Sequence, residues 1–274
     1  KMNTSTLLGS RRAKSFEKYI LITIVITLCL QISCSTAAVG ETPASNASKP
    51  DPTQAIASAA ELFAQRADIE KLKACVKLLG ETRDPASRNY EVEWQFAKST
   101  YFLGKQFGTE KEKIAAFEAG RDAAKIAARM EPNKPDGHFW FAANLGELSQ
   151  ISPVTVGLKS VDDIRDSMNE VIRIDPKYQG ASAFDALGQL ELKTRSYGGG
   201  KAERAVEYLE KGLNLDDDNP NIRVNLAEAY IAVKRDADAR KQINELMTMK
   251  PNPDYVREHD EAVVKAKKML ESQL

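Results

Sequence analysis

Residues 220–253 read PNIRVNLAEAYIAVKRDADARKQINELMTMKPNP. Apolar and small residues recur here at steps of three and four, which is helical rather than strand periodicity. Asn219 followed by Pro220 is a start signal: a capping side chain, then a proline whose missing N–H costs nothing at the first helical position. Leu226, Ala227 and Tyr230 fall on one face of a first helix. Ala239, Ile243 and Leu246 fall on one face of a second, and Pro251 closes it. The small residues at 227 and 239 let the two helices approach closely, while Leu226, Tyr230 and Ile243 fill the seam. One such hairpin cannot bury both of its apolar faces, so it needs stacked neighbours.

Counted from Pro220 as position 1, the anchors fall at 7, 8, 11, 20, 24, 27 and 32, the spacing of the tetratricopeptide (TPR) repeat, with Leu246 where that repeat prefers alanine. Halves of the same pattern recur upstream. Gly120, Ala124, Ala127, Met130 and Pro132 align with Ile164, Met168, Val171, Ile174 and Pro176, and again with Ala205, Leu209, Gly212, Leu215 and Asp217. First-helix halves stand at Trp94, Ala97 and Tyr101, at Leu145-Gly146 and at Leu187-Gly188; a weaker unit runs through Ala60, Phe63, Leu72, Val76 and Leu79. The expected fold is all-α: a TPR-like solenoid of about five helix pairs, 52–86, 88–132, 136–178, 180–218 and 220–252, closed by a cap helix from Asp254 to about Ser272. Closing prolines 132 and 176 lie 44 residues apart, longer than the standard 34. The excess is expected between paired helices, near 103–112, 149–159 and 194–201.

The N-terminal region has a different composition. Arg11, Arg12, Lys14 and Lys18 make a basic leader, Tyr19 to Gly40 carries no charge, and Ile20 to Leu30 is its apolar heart. About 11–14 such residues are short for a membrane span and suit a signal-peptide core. The run ends in Leu30-Gln31-Ile32-Ser33-Cys34-Ser35, which resembles a bacterial lipobox, with Gln31 where that motif wants an aliphatic residue. The reading is a lipoprotein-type signal peptide at 1–33, a Ser/Thr/Ala/Pro-rich flexible tether at 34–51, and a helical domain at 52–274. Cys34 is the lipidation site. Cleavage after Ala37 and an uncleaved N-terminal anchor are the alternatives. All three place the body outside the cytoplasmic membrane.

Lys+Arg and Asp+Glu are 39 each. Removing 1–33 takes away five basic residues and one acid, leaving 34 against 38 and a net charge of −4. That balance gives no pull toward nucleic acid. After Cys34 the body holds only Cys75, read as a small buried residue, so it has no disulfide framework. Gly198-Gly199-Gly200-Lys201-Ala202 fails as a phosphate loop, because Arg195 and Ala202 stand where glycine and Ser/Thr are needed. Asp216-Asp217-Asp218 lacks the alternating oxygens of a cation loop. His138 reads as a packing or capping residue and His259 as solvated. No catalytic residue, metal site or cofactor is expected.

Residues 88–252 resemble one TPR-like family, the periplasmic T component of tripartite ATP-independent periplasmic (TRAP) transporters. The resemblance is carried by Gly120, Ala123, Ala124, Ala127 and Pro132, by Gly137-His138-Phe139-Trp140 with Leu145-Gly146, by Ile174-Asp175-Pro176 with Tyr178, by Leu187-Gly188, by Gly198-Gly199-Gly200 with Ala205, and by Leu226-Ala227 with Tyr230. It implies a non-catalytic periplasmic lipoprotein, lipid-anchored to the inner or outer membrane. It also implies assembly as a homotrimer and engagement of the transporter's periplasmic solute-binding protein. The alternative is a general TPR scaffold in cell-envelope or outer-membrane assembly. The expected partner-binding groove comprises Trp140, Glu147, Asp185, Gln189, Gln95, Ser99, Asn221 and Glu228, with Ala143 beside them. Trp140 enters because Phe139-Trp140-Phe141 spans about 200° of a helix, more than one seam can bury; packing of Trp140 in the core is the alternative. Replacing Cys34 with Ala is expected to abolish membrane fractionation and the acyl mass of the mature chain; a wild-type chain without acyl mass would refute the lipid anchor.

Overall fold

The computed structural model describes residues 49–274; the proposed signal segment, Cys34 and all but the last few residues of the tether lie outside them. Within the described residues eleven α-helices follow one another: α1 Pro52–Ala64, α2 Ile69–Thr82, α3 Tyr90–Gln106, α4 Glu110–Met130, α5 Pro135–Ile151, α6 Leu158–Ile174, α7 Tyr178–Lys193, α8 Ala202–Leu215, α9 Pro220–Ala232, α10 Asp236–Thr248 and α11 Val256–Ser272. No strand occurs among the described residues. The array is the expected helix-pair solenoid, with five pairs and a closing helix at the expected places. Capping follows the sequence signals. Asp51, Asn89 and Asn219 accept hydrogen bonds from the first-turn N–H groups of Gln54, Val92 and Ile222, and prolines open α1, α5 and α9.

Successive first helices α1, α3, α5, α7, α9 and α11 touch one another, while each second helix packs between two first helices. The first helices therefore form a continuous inner wall. Small residues permit this packing. A Cβ on Gly104 would stand 2.6 Å from the Phe117 ring, and one on Gly188 would stand 2.5 Å from Leu209. One apolar cluster runs through α1 to α7 around Leu79, Ala97, Ala124, Val171 and Leu187. A second runs from α7 to α11 around Leu209, Leu226, Ile243 and Ala266.

The extra residues are distributed differently from the expectation. The 103–112 excess is not an inserted loop. It is absorbed by long helices, 17 residues in α3 and 21 in α4, because unbroken helix satisfies the backbone better than a loop against an apolar seam. At 149–159 the chain makes a π-helical turn, Pro153–Gly157, leading straight into α6. Only 194–201 is a loop, and a buried carboxylate pins it: Glu191 accepts from the Lys201 backbone N–H at 2.9 Å and pairs with Arg204 at 3.0 Å. Gly200 is required there, since a Cβ would meet the Glu191 carbonyl at 2.2 Å. The start of α7 is also irregular. Gln179, Gly180 and Ala181 all have left-handed φ, held by the Asn219 amide donating to the Gly180 carbonyl at 2.8 Å. Among the described residues no helix is long and apolar enough to cross a membrane.

Glu93 is 1% exposed and is clamped between Arg83 at 2.8 Å and Arg88 at 2.6 Å, joining the α2–α3 connection to α3. Removing both arginines leaves a buried charge unpaired, and the double variant Arg83→Ala with Arg88→Ala is expected to lose about 3–5 kcal/mol in urea unfolding. Glu93→Gln is expected to cost less, because both partly exposed arginines can turn to water. A milder loss from the double variant than from Glu93→Gln would contradict this account.

Candidate functional site

The inner wall carries a line of polar side chains that cross from one first helix to the next. Lys105 on α3 pairs with Glu147 on α5 at 3.0 Å, and the Tyr101 hydroxyl donates to the same carboxylate at 3.4 Å. Gln150 on α5 accepts from Lys193 on α7 at 3.1 Å. Asp185 on α7 accepts from Gln189 at 2.8 Å and from Asn225 on α9 at 2.7 Å. Lys265 on α11 donates to Asn225 at 2.6 Å and to Glu228 at 2.5 Å. Long-range electrostatics show how closely these groups share one space. Burial raises the Tyr101 pKa first, and the carboxylates of Glu147, Asp185 and Glu261 raise it further. Desolvation also pushes Asp185 up, opposed by its two amide donors and by Lys265 and Lys193.

A second part of the wall lies between α1 and α3. Gln95 and Ser99 line a recess of about 260 Å³ with Ala59, Ala60, Phe63, Ala64, Trp94 and Lys98. Ser99 itself is buried, its hydroxyl 3.4 Å from the Cys75 thiol. Burial raises the pKa of that thiol, so it stays protonated, in keeping with a small structural residue. Lys98 stands 4.3 Å from the Phe63 ring centre, and the Arg66 guanidinium stands 5.1 Å from the same ring and 5.5 Å from Phe102.

The expected groove residues thus fall into separate groups. Asp185, Gln189 and Glu228 join one network, Glu147 extends it, and Gln95 and Ser99 belong to the recess. Asn221 joins neither; its backbone N–H donates to Asn219 at the start of α9. Ala143 is half-buried against the core. Trp140 does not line an open groove. It is 3% exposed, packed at 5.0 Å from Phe139, 5.6 Å from Tyr101 and 6.0 Å from Phe102. A single seam could not bury three adjacent aromatics, but α5 has neighbours on several sides, α3, α4, α6 and α7. Phe139 packs on Tyr178 of α7 at 5.3 Å while Trp140 turns to α3. His259 is also corrected: it is 9% exposed, with Nε2 3.2 Å from the Leu246 carbonyl, because α11 packs on α10 rather than standing in solvent. His138 lies 3.0 Å from the Pro132 carbonyl, at the helix start as expected.

Sequence reasoning missed Lys98, Arg66, Asn225 and Lys265. Lys98 lies three residues beyond Gln95 on the same helical stripe, a signal that was present. Lys265 sits on a helix read only as a cap. Among the described residues no group of His, Cys, Asp and Glu is arranged to hold a metal ion.

The family described as Regulator of microtubule dynamics protein 1-3 matches residues 55–191, half of the chain, and a tetratricopeptide repeat family matches residues 197–257. A DnaJ homolog subfamily C member 7 homolog of Dictyostelium discoideum is 27% identical over 132 residues, 48% of this chain. The match spans about a fifth of that protein's length, 21%. The crystal structure of a thermophilic TPR protein of Thermus thermophilus superposes with a TM-score of 0.56 at 17% identity, over 77% of this chain and 98% of that one. That likeness shows the fold. Since Trp140 is a core residue, Trp140→Ala is expected to cost about 3–5 kcal/mol and lower the melting temperature sharply; an unchanged melting temperature would return it to the surface.

Proposed function

We propose a function from the premise that this chain belongs to the regulator of microtubule dynamics protein 1-3 family. It is a non-catalytic TPR-type scaffold whose inner wall holds a segment of a partner protein, and it stands off a membrane on its N-terminal segment. The observation that carries this reading is the polar line across α3, α5, α7, α9 and α11. Its side chains are paired with one another, and half-exposed donors and acceptors such as Gln189 and Glu228 remain accessible along it. A wall of this kind recognises an extended chain through hydrogen bonds, as interface rims do. The family's description makes the control of microtubule dynamics the process this scaffold would serve.

The resemblance to the TRAP T component supports a second reading, in which the partner is a solute-binding protein in the periplasm. The residues behind it are mainly packing residues. Gly120, Ala123, Ala124, Ala127, Leu187, Gly188 and Ala205 are buried, and a Cβ on Gly137 would meet the Ala128 backbone at 2.3 Å. They speak for close helix packing and say little about a partner. The homotrimer, the periplasmic site and the lipid on Cys34 belong with that second reading.

One experiment separates the readings. A photo-crosslinking amino acid is placed at Gln189 on the inner wall or at Lys125, exposed on the far side of α4. Adducts are then identified by mass spectrometry, alongside co-sedimentation of the chain with microtubules. The scaffold reading expects discrete adducts from Gln189 only. A cytoskeletal adduct with co-sedimentation supports the family's process, and a solute-binding protein supports the second reading. Equal adducts from both positions would sink inner-wall recognition.

A further inference from the structure

Among the described residues, each lysine of the polar line is held by a polar side chain: Lys105 by Glu147, Lys265 by Glu228, and Lys193 by the neutral amide oxygen of Gln150. Among the same residues, neither Lys98 nor Arg66 forms an ion pair or side-chain hydrogen bond with a carboxylate. They come from different helices, Arg66 from just beyond α1 and Lys98 from α3, and converge on one ring, Phe63. The Arg66 guanidinium also lies over Phe102, and Lys98 approaches Trp94 at 6.0 Å. Asp136 is the carboxylate that acts on Lys98, but both its oxygens are occupied, one by the Tyr90 hydroxyl and one by the Tyr178 hydroxyl, each at 2.7 Å. Half-buried cations on aromatic faces recover part of their lost hydration from the rings. An incoming carboxylate would recover more, through charge-assisted hydrogen bonds.

The recess beside them fixes the kind of ligand. It is about 260 Å³, lined by Ala59, Ala60, Phe63, Ala64, Trp94 and Gln95. That is below the roughly 300–1,000 Å³ of sites that enclose a whole small ligand. It suits a side chain whose backbone stays outside, and the Gln95 amide stands at its wall to meet that backbone.

We propose that Lys98 and Arg66, with the apolar recess between α1 and α3, form a subsite for an acidic residue and its aliphatic neighbour in an extended partner segment. This rests on the scaffold reading and specifies the partner's chemistry at one end of the wall. The carboxylate lies between the ammonium and the guanidinium, and the aliphatic side chain enters the recess against Phe63 and Trp94. Lowering of the Lys98 pKa by burial and by Arg66 agrees with a site in which a cation awaits a counter-charge.

The test uses the full chain and three probes: a fluorescein-labelled octapeptide alternating leucine and glutamate, the same peptide with glutamine for glutamate, and vesicles containing anionic phospholipid. Anisotropy is expected to show the glutamate peptide binding about tenfold more tightly than the glutamine one, with affinity falling as salt rises. Lys98→Gln and Arg66→Gln are each expected to weaken it about fivefold or more. Ala60→Trp, which fills the recess from an exposed position without altering charge, is expected to weaken both peptides. Melting temperatures of the three variants should match the parent. Equal binding of the two peptides, or indifference to Lys98→Gln in a folded variant, overturns the subsite. Vesicle binding lost with Lys98→Gln, without peptide binding, overturns it in favour of a lipid headgroup. Crosslinking at Gln189 remains an independent reading: if it persists while the subsite fails, the scaffold stands and only this end of the wall is misassigned.

Discussion

Everything in this array depends on how closely adjacent helices can approach. At Gly104, Gly120, Gly188 and Gly212 a side chain would collide with a neighbouring helix, at Phe117, Thr100 and Asn144, Leu209, and Phe184 respectively. Interiors are packed at crystal-like density, so one added methyl group at such a point is felt along the whole seam. Close approach in turn lets every second helix sit between two first helices. The first helices are thereby brought edge to edge, and the inner wall exists only because they are.

Polar groups in the wall are tolerated because they are shared between helices. Asp136 joins the tyrosines of α3 and α7 from its place on α5, and Asp185 joins α7 to α9 through Asn225. A buried carboxylate without such donors would be costly, whereas one with two or three is a positional device. The network thus sets the angle between neighbouring first helices and also presents the polar line that a partner would read. At the α1–α3 end the pairing stops, leaving cations on aromatic rings beside an apolar recess. One wall therefore offers two chemistries, a hydrogen-bonding strip and a charged, apolar end.

Most of the fold was legible because TPR anchors are short-range signals. Leu226, Ala227 and Tyr230 name their partners by spacing, and the caps at Asp51, Asn89 and Asn219 mark the starts. The candidate site was legible in part. Asp185, Gln189 and Glu228 were placed together by counting positions along each first helix. Trp140 was misplaced by the same count, since counting treats a helix as having one seam while α5 has several neighbours. The 103–112 excess was misplaced because length alone does not say whether extra residues extend a helix or form a loop.

The sequence by itself determined that the chain is helical from 52 onward, where helices pair, and that small residues hold the pairs together, because these follow from steps of three and four and from anchors that recur along one chain. Only the tertiary structure decided which side chains from different pairs meet. Lys98 and Arg66 over Phe63, Lys265 between Asn225 and Glu228, and Glu93 between two arginines are contacts across elements. Their existence depends on the rotation of one repeat against the next, and no local spacing encodes that rotation.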